Sequence, residues 1–122
     1  MDGSDGTQFA ADPGDRAQVA IQPGGAAGAS SASDPDVFHD GTHWVLYVSR
    51  GNSTEVHTSP ALRGAYVMSS ALPQGRLTND VGGVRAGHFD ALRGQYWTFV
   101  HRPEPVQRIY RAVHPTLTSP LL

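Results

Sequence analysis

Residues 33–49 read SDPDVFHDGTHWVLYVS, and this stretch decides the fold class. An Asp40-Gly41 dipeptide separates two apolar runs, which is the strongest short-range signal for a β-hairpin. The run before it, residues 34–40, opens with Asp-Pro. The run after it, residues 42–49, is dense in β-branched and aromatic side chains that favour strands. The stretch therefore predicts two antiparallel strands joined by a tight turn.

The same pattern of short strands and turns continues downstream. Further strands are predicted over residues 55–59, 65–69, 84–90, 95–102 and 107–114. Residues 72–83 contain Pro73, Gly75, Gly82 and Gly83 and are predicted to be a connector. An apolar period of helical spacing does not extend over any useful length. The sequence predicts an all-β, antiparallel protein.

An internal repeat organises these strands into two units. Residues 43–50 (HWVLYVSR) align with residues 95–102 (QYWTFVHR) at an offset of 52, and residues 59–62 align with residues 114–117 at an offset of 55. A period of roughly 50 residues with four strands per unit is typical of β-propeller blades. We therefore predict two propeller-like blades, 34–72 and 84–122, as part of a propeller.

The aromatic side chains of the two dense strands fit this architecture. A single twisted sheet needs neighbours on both faces to bury its aromatic residues. Trp44, Tyr47, Trp97 and Phe99 are therefore predicted to form the core between blades. Stacking of Trp44 or Trp97 on a sugar ring is the alternative.

Residues 1–33 differ in composition from the rest. They are rich in Gly, Ala, Ser and Asp, and we predict a flexible leader in which residues 16–22 (RAQVAIQ) can form an edge strand. Met1 is followed by Asp2, and no apolar segment of a secretory signal follows. The sequence thus predicts either a cytoplasmic protein or one whose true N-terminus is missing, and the localisation stays unknown.

Composition excludes several classes of protein. The 122 residues contain no cysteine, so disulfide frameworks and thiolate zinc sites are excluded. A net charge of −2 argues against a dedicated nucleic-acid partner or a polybasic membrane patch, and no apolar run approaches the roughly 20 residues of a membrane helix. The six histidines have no metal-ligand spacing. No cofactor or metal is predicted.

The length bears on the architecture. Closed propellers need at least about four blades, so two blades leave two sheet faces uncovered. We therefore expect a truncated chain, or a homo-oligomer that completes the propeller.

Residues 33–49 resemble the blade motif of the arabinanase-like five-bladed β-propellers, which include glycoside hydrolase family 43. Blades of that family often read Asp-Pro-x-Val-Phe, then Asp-Gly, then a Tyr-rich strand. Residues 58–66 (TSPALRGAY) are similar to the family's Ser-rich strand end, Leu-x-Gly loop and aromatic residue. The resemblance covers roughly residues 33–117.

The resemblance implies a carbohydrate site at the top of a central channel. In the family three carboxylates act there as general base, general acid and modulator of the acid's pKa, as inverting hydrolysis requires. The Asp of Asp-Pro belongs to this set, so Asp34 is implied as the general base or the pKa modulator. The alternative is that Asp34 opens a turn by binding nearby backbone amides. Asp40 is interpreted as a turn residue.

The chain departs from the family where the general acid is expected. The acid blade often reads Glu-Gly-Pro-His, and residues 85–88 (RAGH) stand in that register, so Arg85 replaces the Glu. An arginine stays charged and cannot serve as the acid. The chain's two glutamates, Glu55 and Glu104, lie far from this motif in the sequence. The three carboxylates are therefore not all present in this chain.

Three other residues are candidates for contacts with a carbohydrate ligand: Arg85, His88 and Trp44. His88 matches the family's His, which can face the channel near a bound cation such as calcium; a hydrogen-bonded His on an inner strand is the alternative.

Two functions follow. One is a family 43-like glycosidase, or part of one, acting on plant-type polysaccharide or oligosaccharide. The other is a non-catalytic propeller fragment or carbohydrate-binding module. An unrelated small β-sheet protein is a third interpretation.

Overall fold

The computed structural model describes residues 32–51, 53–78, 85–102 and 105–118, with the side chain of Arg102 excepted. Regular structure in these ranges is almost entirely strand, which confirms the predicted all-β class. One 3₁₀ turn spans Pro73–Gly75. The strands are β1 Ser33–His39, β2 Trp44–Ser49, β3 Thr54–Ser59, β4 Val67–Met68, β5 Arg76–Thr78, β6 Arg85–Asp90, β7 Gln95–Arg102 and β8 Arg108–His114.

The first sheet has the order β1-β2-β3-β4, with β5 also paired to β3, and all its pairs are antiparallel. His39 pairs with Trp44 across the first hairpin, as the Asp-Gly signal predicts. Gly41 has a φ of 93°, a left-handed conformation that favours glycine. The Asp40 carboxylate accepts hydrogen bonds from the amides of Thr42 (2.9 Å) and His43 (2.7 Å). Asp40 is thus a turn residue, as predicted.

The second sheet has the order β6-β7-β8 and is also antiparallel. Two details of the strand prediction are wrong. The strand expected over residues 65–69 is only Val67–Met68, and the expected connector contains β5. Strand β5 forms because Leu77 is fully buried in the core while Arg76 pairs with Glu55 of β3. Burial of the Leu77 side chain thus outweighs the tendency of the flanking glycines and proline to form a loop.

The core lies on both faces of the first sheet. One cluster contains Val45, Tyr47, Val56, Leu72 and Leu77, with Phe38 and Leu117 packed against it. Phe38 and Tyr47 face β6 of the second sheet, so this cluster fills the seam between the sheets. A second cluster on the opposite face contains Leu46, Val48 and Tyr66, with Trp44 against it. Full burial of each Leu or Val stabilises the fold by about 1.5–3 kcal/mol.

The second sheet presents apolar side chains on its outer surface. Ile109 is 70% exposed and Val113 is 44% exposed. The expected truncated chain or ring-completing homo-oligomer stays a prediction, as do the boundaries of the two blades. Residues 1–31, including the edge strand predicted over 16–22, lie outside the described residues. Within the described ranges, no helix is long and apolar enough to cross a membrane.

Candidate functional site

Strand β1 begins with a β-bulge at Asp34. Ser33 pairs with Ser49 and Asp36 pairs with Tyr47, so Asp34 and Pro35 together lie opposite the single residue Val48. Pro35 fits such a position because it has no amide to donate to the ladder. Bulges bend a strand and redirect its side chains, and they are frequent beside active sites.

The bulge holds Asp34 in an unusual backbone conformation. Its φ is 48°, one of two positive values at non-glycine residues in the described ranges. Aspartate tolerates this left-handed region better than most residues, at some cost in free energy. The side chain is exposed, and its Oδ2 accepts a long 3.4 Å hydrogen bond from the Ser33 hydroxyl. Asp34 therefore presents a carboxylate to solvent at the start of β1.

The start of β6 lies beside the start of β1. The Asp36 Oδ2 accepts a 2.6 Å hydrogen bond from the Gly87 amide. Further along, the position of a Cβ on Gly41 is 3.8 Å from the Phe89 ring, so the two strands run in the same direction. Asp34 is two residues before Asp36, and Arg85 is two residues before Gly87. The structure thus brings the predicted residues Asp34 and Arg85 to the same end of the seam.

Arg85 has a different environment from Asp34. It pairs with Val100 in the second sheet and is only 1% exposed, so its side chain is among the largest buried ones. An arginine with its guanidinium buried in this way is held by protein groups instead of by solvent. The predicted contact between Arg85 and a ligand stays a prediction.

The two other predicted contact residues lie elsewhere. The Cβ position of Gly87 faces Phe38 and Tyr47 of the first sheet. Since side chains of neighbouring residues on a strand point to opposite faces, the side chain of His88 points away from the first sheet. His88 is exposed and lies opposite Trp97. Trp44 pairs with His39, five residues along β1 from Asp34, which places it roughly 15 Å from the bulge. Its ring lies 5.1 Å from that of His39. The structure does not bring Trp44 together with Asp34.

A buried ion-pair cluster lies at the same end of the first sheet as the bulge. The Glu55 Oε2 accepts hydrogen bonds from Arg50 Nε (3.0 Å) and His57 Nε2 (3.2 Å). Burial lowers the pKa of His57, and the charge of Arg50 adds to this effect, while Glu55 opposes it. A neutral His57 then carries its proton on Nε2. Because Glu55 is fully buried and accepts hydrogen bonds from Arg50 and His57, it is not placed to protonate a ligand.

A second buried network joins the two sheets. Tyr47 Oη lies 3.0 Å from Thr98 Oγ1, and Thr98 Oγ1 lies 3.1 Å from His114 Nε2. His114 Nδ1 lies 3.0 Å from the Thr116 carbonyl oxygen, which can only accept. In the neutral ring Nδ1 is therefore the donor and Nε2 accepts from Thr98, so Thr98 accepts from Tyr47. Sequence reasoning missed this network, because its first hydrogen bond joins two residues that lie 51 positions apart.

Asp40 also joins the two sheets, at the far end of the seam. Its Oδ2 accepts a 2.7 Å hydrogen bond from the Tyr96 hydroxyl. Burial acts to raise the pKa of Asp40, but the hydrogen bonds from His43, Tyr96 and Thr42 outweigh it, so the pKa lies below its ordinary value. Within the described ranges no group of three His, Asp or Glu side chains is arranged to hold a metal ion.

Comparison with known proteins identifies the architecture. No family model and no curated protein matches the chain. A crystal structure of the GH43_1 enzyme from Xanthomonas citri complexed with xylose has a TM-score of 0.52 at 18% identity, covering 66% of this chain and 26% of that one. A second crystal structure of GH43_1 enzyme from Xanthomonas citri gives 0.50 at 20% identity, covering 65% and 25%.

The chain thus spans about a quarter of the length of these two structures. At such identities the likeness concerns the fold alone. It confirms the resemblance inferred from residues 33–117: the chain has the fold of part of a family 43-like β-propeller.

Proposed function

We propose that the chain forms two blades of a glycoside hydrolase-like β-propeller that binds or acts on a plant-type oligosaccharide, with Asp34 as a carboxylate of the sugar site. The observation that carries this proposal is the exposed Asp34 side chain on a left-handed bulge at the start of β1. Strained backbone of this kind persists where surrounding structure enforces it, and it is concentrated at functional sites. A turn residue in the alternative role would bind nearby amides, as Asp40 does.

The chemistry of the site depends on a second carboxylate. Hydrolysis with inversion needs an acid and a base about 6.5–9.5 Å apart, with water between the base and the sugar. Asp34 can supply the base or the modulator of the acid's pKa. Arg85 stands at the expected position of the acid and is buried. The residue at this position therefore cannot supply the acid, and hydrolysis requires an acid from elsewhere.

A non-catalytic carbohydrate-binding module is the second candidate, and the burial of Arg85 at the position of the acid favours it. Both candidates use Asp34 to accept hydrogen bonds from sugar hydroxyls. They differ in whether the protein releases the aryl group from an aryl xyloside. Measurable release that is lost in Asp34→Asn supports the enzyme. Binding without release supports the module.

The test of sugar binding uses nuclear magnetic resonance titrations with xylose and xylobiose, because one of the similar structures holds xylose. A hydrogen bond to a charged acceptor contributes about 1.5–3 kcal/mol, so Asp34→Asn should weaken binding about ten- to hundredfold. Asp90→Asn is the matched control, since Asp90 ends β6 at the opposite end of the second sheet and binds Arg93. Unchanged affinity in Asp34→Asn would exclude Asp34 from the site. Absence of binding across a panel of plant-type oligosaccharides would refute the proposed function.

A further inference from the structure

Among the described residues, strand β6 lies at the edge of the second sheet and pairs with β7 on one side only. Amides on the other side of an edge strand need water or a side chain as acceptor. The Gly87 amide points to this open side and donates to Asp36 of the first sheet at 2.6 Å. The Asp36 side chain thus accepts the hydrogen bond that the backbone carbonyl of a neighbouring strand would otherwise accept from β6.

The contact is made possible by the glycine itself. A Cβ at position 87 would lie 2.8 Å from Tyr47 Cε2 and closer still to the ring of Phe38. Any other residue would require the rings of Phe38 and Tyr47, or β6 itself, to move, and a movement of β6 would lengthen the hydrogen bond to Asp36. The two strands are therefore fixed to each other at one point by steric contact and by a short bond to a carboxylate.

We propose that Asp36 is a positioning residue for the sugar site, an inference that rests on the proposed function of Asp34. The fixed point lies two residues after Asp34 on β1 and two residues after Arg85 on β6. It sets the distance between the starts of the two strands and anchors the C-terminal side of the bulge. With its oxygen engaged by Gly87, Asp36 does not need to contact the sugar to affect binding.

Asp40 provides a matched control within the same seam. It also joins the two sheets through one carboxylate oxygen, at 2.7 Å from the Tyr96 hydroxyl, but at the opposite end of β1. Asp36→Ala and Asp40→Ala should both lower stability. Only Asp36→Ala should weaken xylobiose binding, by roughly tenfold, because misplacing a binding group by about 1 Å has large effects. Asp36→Asn keeps an oxygen acceptor for Gly87 and should restore most of the affinity.

Amide resonances test the inference independently of the sugar. Asp36→Ala should change the amide chemical shifts of Gly87, Arg85 and Asp34, whereas Asp40→Ala should leave these three chemical shifts unchanged. Equal losses of affinity in the two alanine variants, or unchanged affinity in Asp36→Ala, would overturn the proposal. If the wild-type chain binds no sugar, the proposed function fails. In that case the amide resonance of Asp34 still tests its positioning by Asp36. A shift of this resonance in Asp36→Ala supports the positioning, and an unchanged resonance contradicts it.

Discussion

Replacement of Gly87 by alanine tests how tightly the two sheets are packed. The new Cβ would lie 2.8 Å from Tyr47 Cε2 and would overlap the ring of Phe38. Carbon atoms normally pack at about 3.5–4.0 Å, so the rings or the whole of β6 must move by about 1 Å. The substitution therefore acts on packing, since the backbone of Gly87 does not have the left-handed conformation that requires glycine.

The expected loss of stability has two parts. Overpacking of a filled core costs about 1–3 kcal/mol. The same movement stretches the bond between Asp36 and Gly87 and the bond between Tyr47 and Thr98, each with a net value of about 1 kcal/mol. We expect Gly87→Ala to lower the free energy of unfolding by about 3 kcal/mol, which corresponds to a fall in Tm of roughly 10 °C for a domain of this size.

Urea unfolding followed by tryptophan fluorescence measures this loss. Gly94→Ala is the control, because Gly94 has a φ of 61° and nothing within 4 Å of its Cβ position. It should cost only the backbone strain, about 1 kcal/mol. Adding Phe38→Leu to Gly87→Ala should recover part of the loss by making room. A Gly87→Ala variant no less stable than Gly94→Ala would refute the packing described for the seam.

Two further predictions concern the polar groups that join the sheets. Tyr47→Phe should lower the free energy of unfolding in urea by about 1–2 kcal/mol, because Thr98 then lacks a hydrogen-bond donor inside the protein. A double-mutant cycle with Thr98→Val should give a coupling energy of about 1 kcal/mol. A coupling energy near zero would contradict the hydrogen bond. The lowered pKa of Asp40 contributes stability that is present above its unfolded value of 3.8 and is lost as the pH falls through the lower folded value. Urea unfolding between pH 2 and 6 should therefore show a shallower loss toward acid in Asp40→Asn than in the wild type, and superimposable curves would count against this account.

The strands were predictable because their signals are local. Alternation, β-branched residues and the Asp40-Gly41 turn act over a few residues, and the structure places β1 and β2 within one or two residues of the prediction. Strand β5 was missed because Leu77 is held by a core that forms from distant parts of the chain. A three-residue strand inside a connector leaves no periodic pattern to detect.

The site was predictable only in part. The Asp-Pro pair indicated Asp34, but the bulge depends on how β1 pairs with β2, which the residues 34–35 alone do not reveal. The role of Asp36 depends on Gly87, 51 residues away. Trp44 was grouped with Asp34 by residue type, whereas strand register separates them by the length of β1. Side-chain type thus indicates chemistry, and register decides which groups meet.

The positions of Asp36 and Asp40 suggest why the bulge can carry function. Each carboxylate joins the first sheet to the second, one near the start of β1 and one just after its end. Between these two carboxylates the ring of Phe38 occupies the space that a side chain at position 87 would need. The interface between the sheets therefore has a hydrogen bond at each end and a packed aromatic ring between them. Asp34 lies just outside this held region and is exposed. Its carboxylate can therefore meet a ligand without disturbing the contacts that keep the two sheets together, while Asp36 keeps the base of the bulge in place.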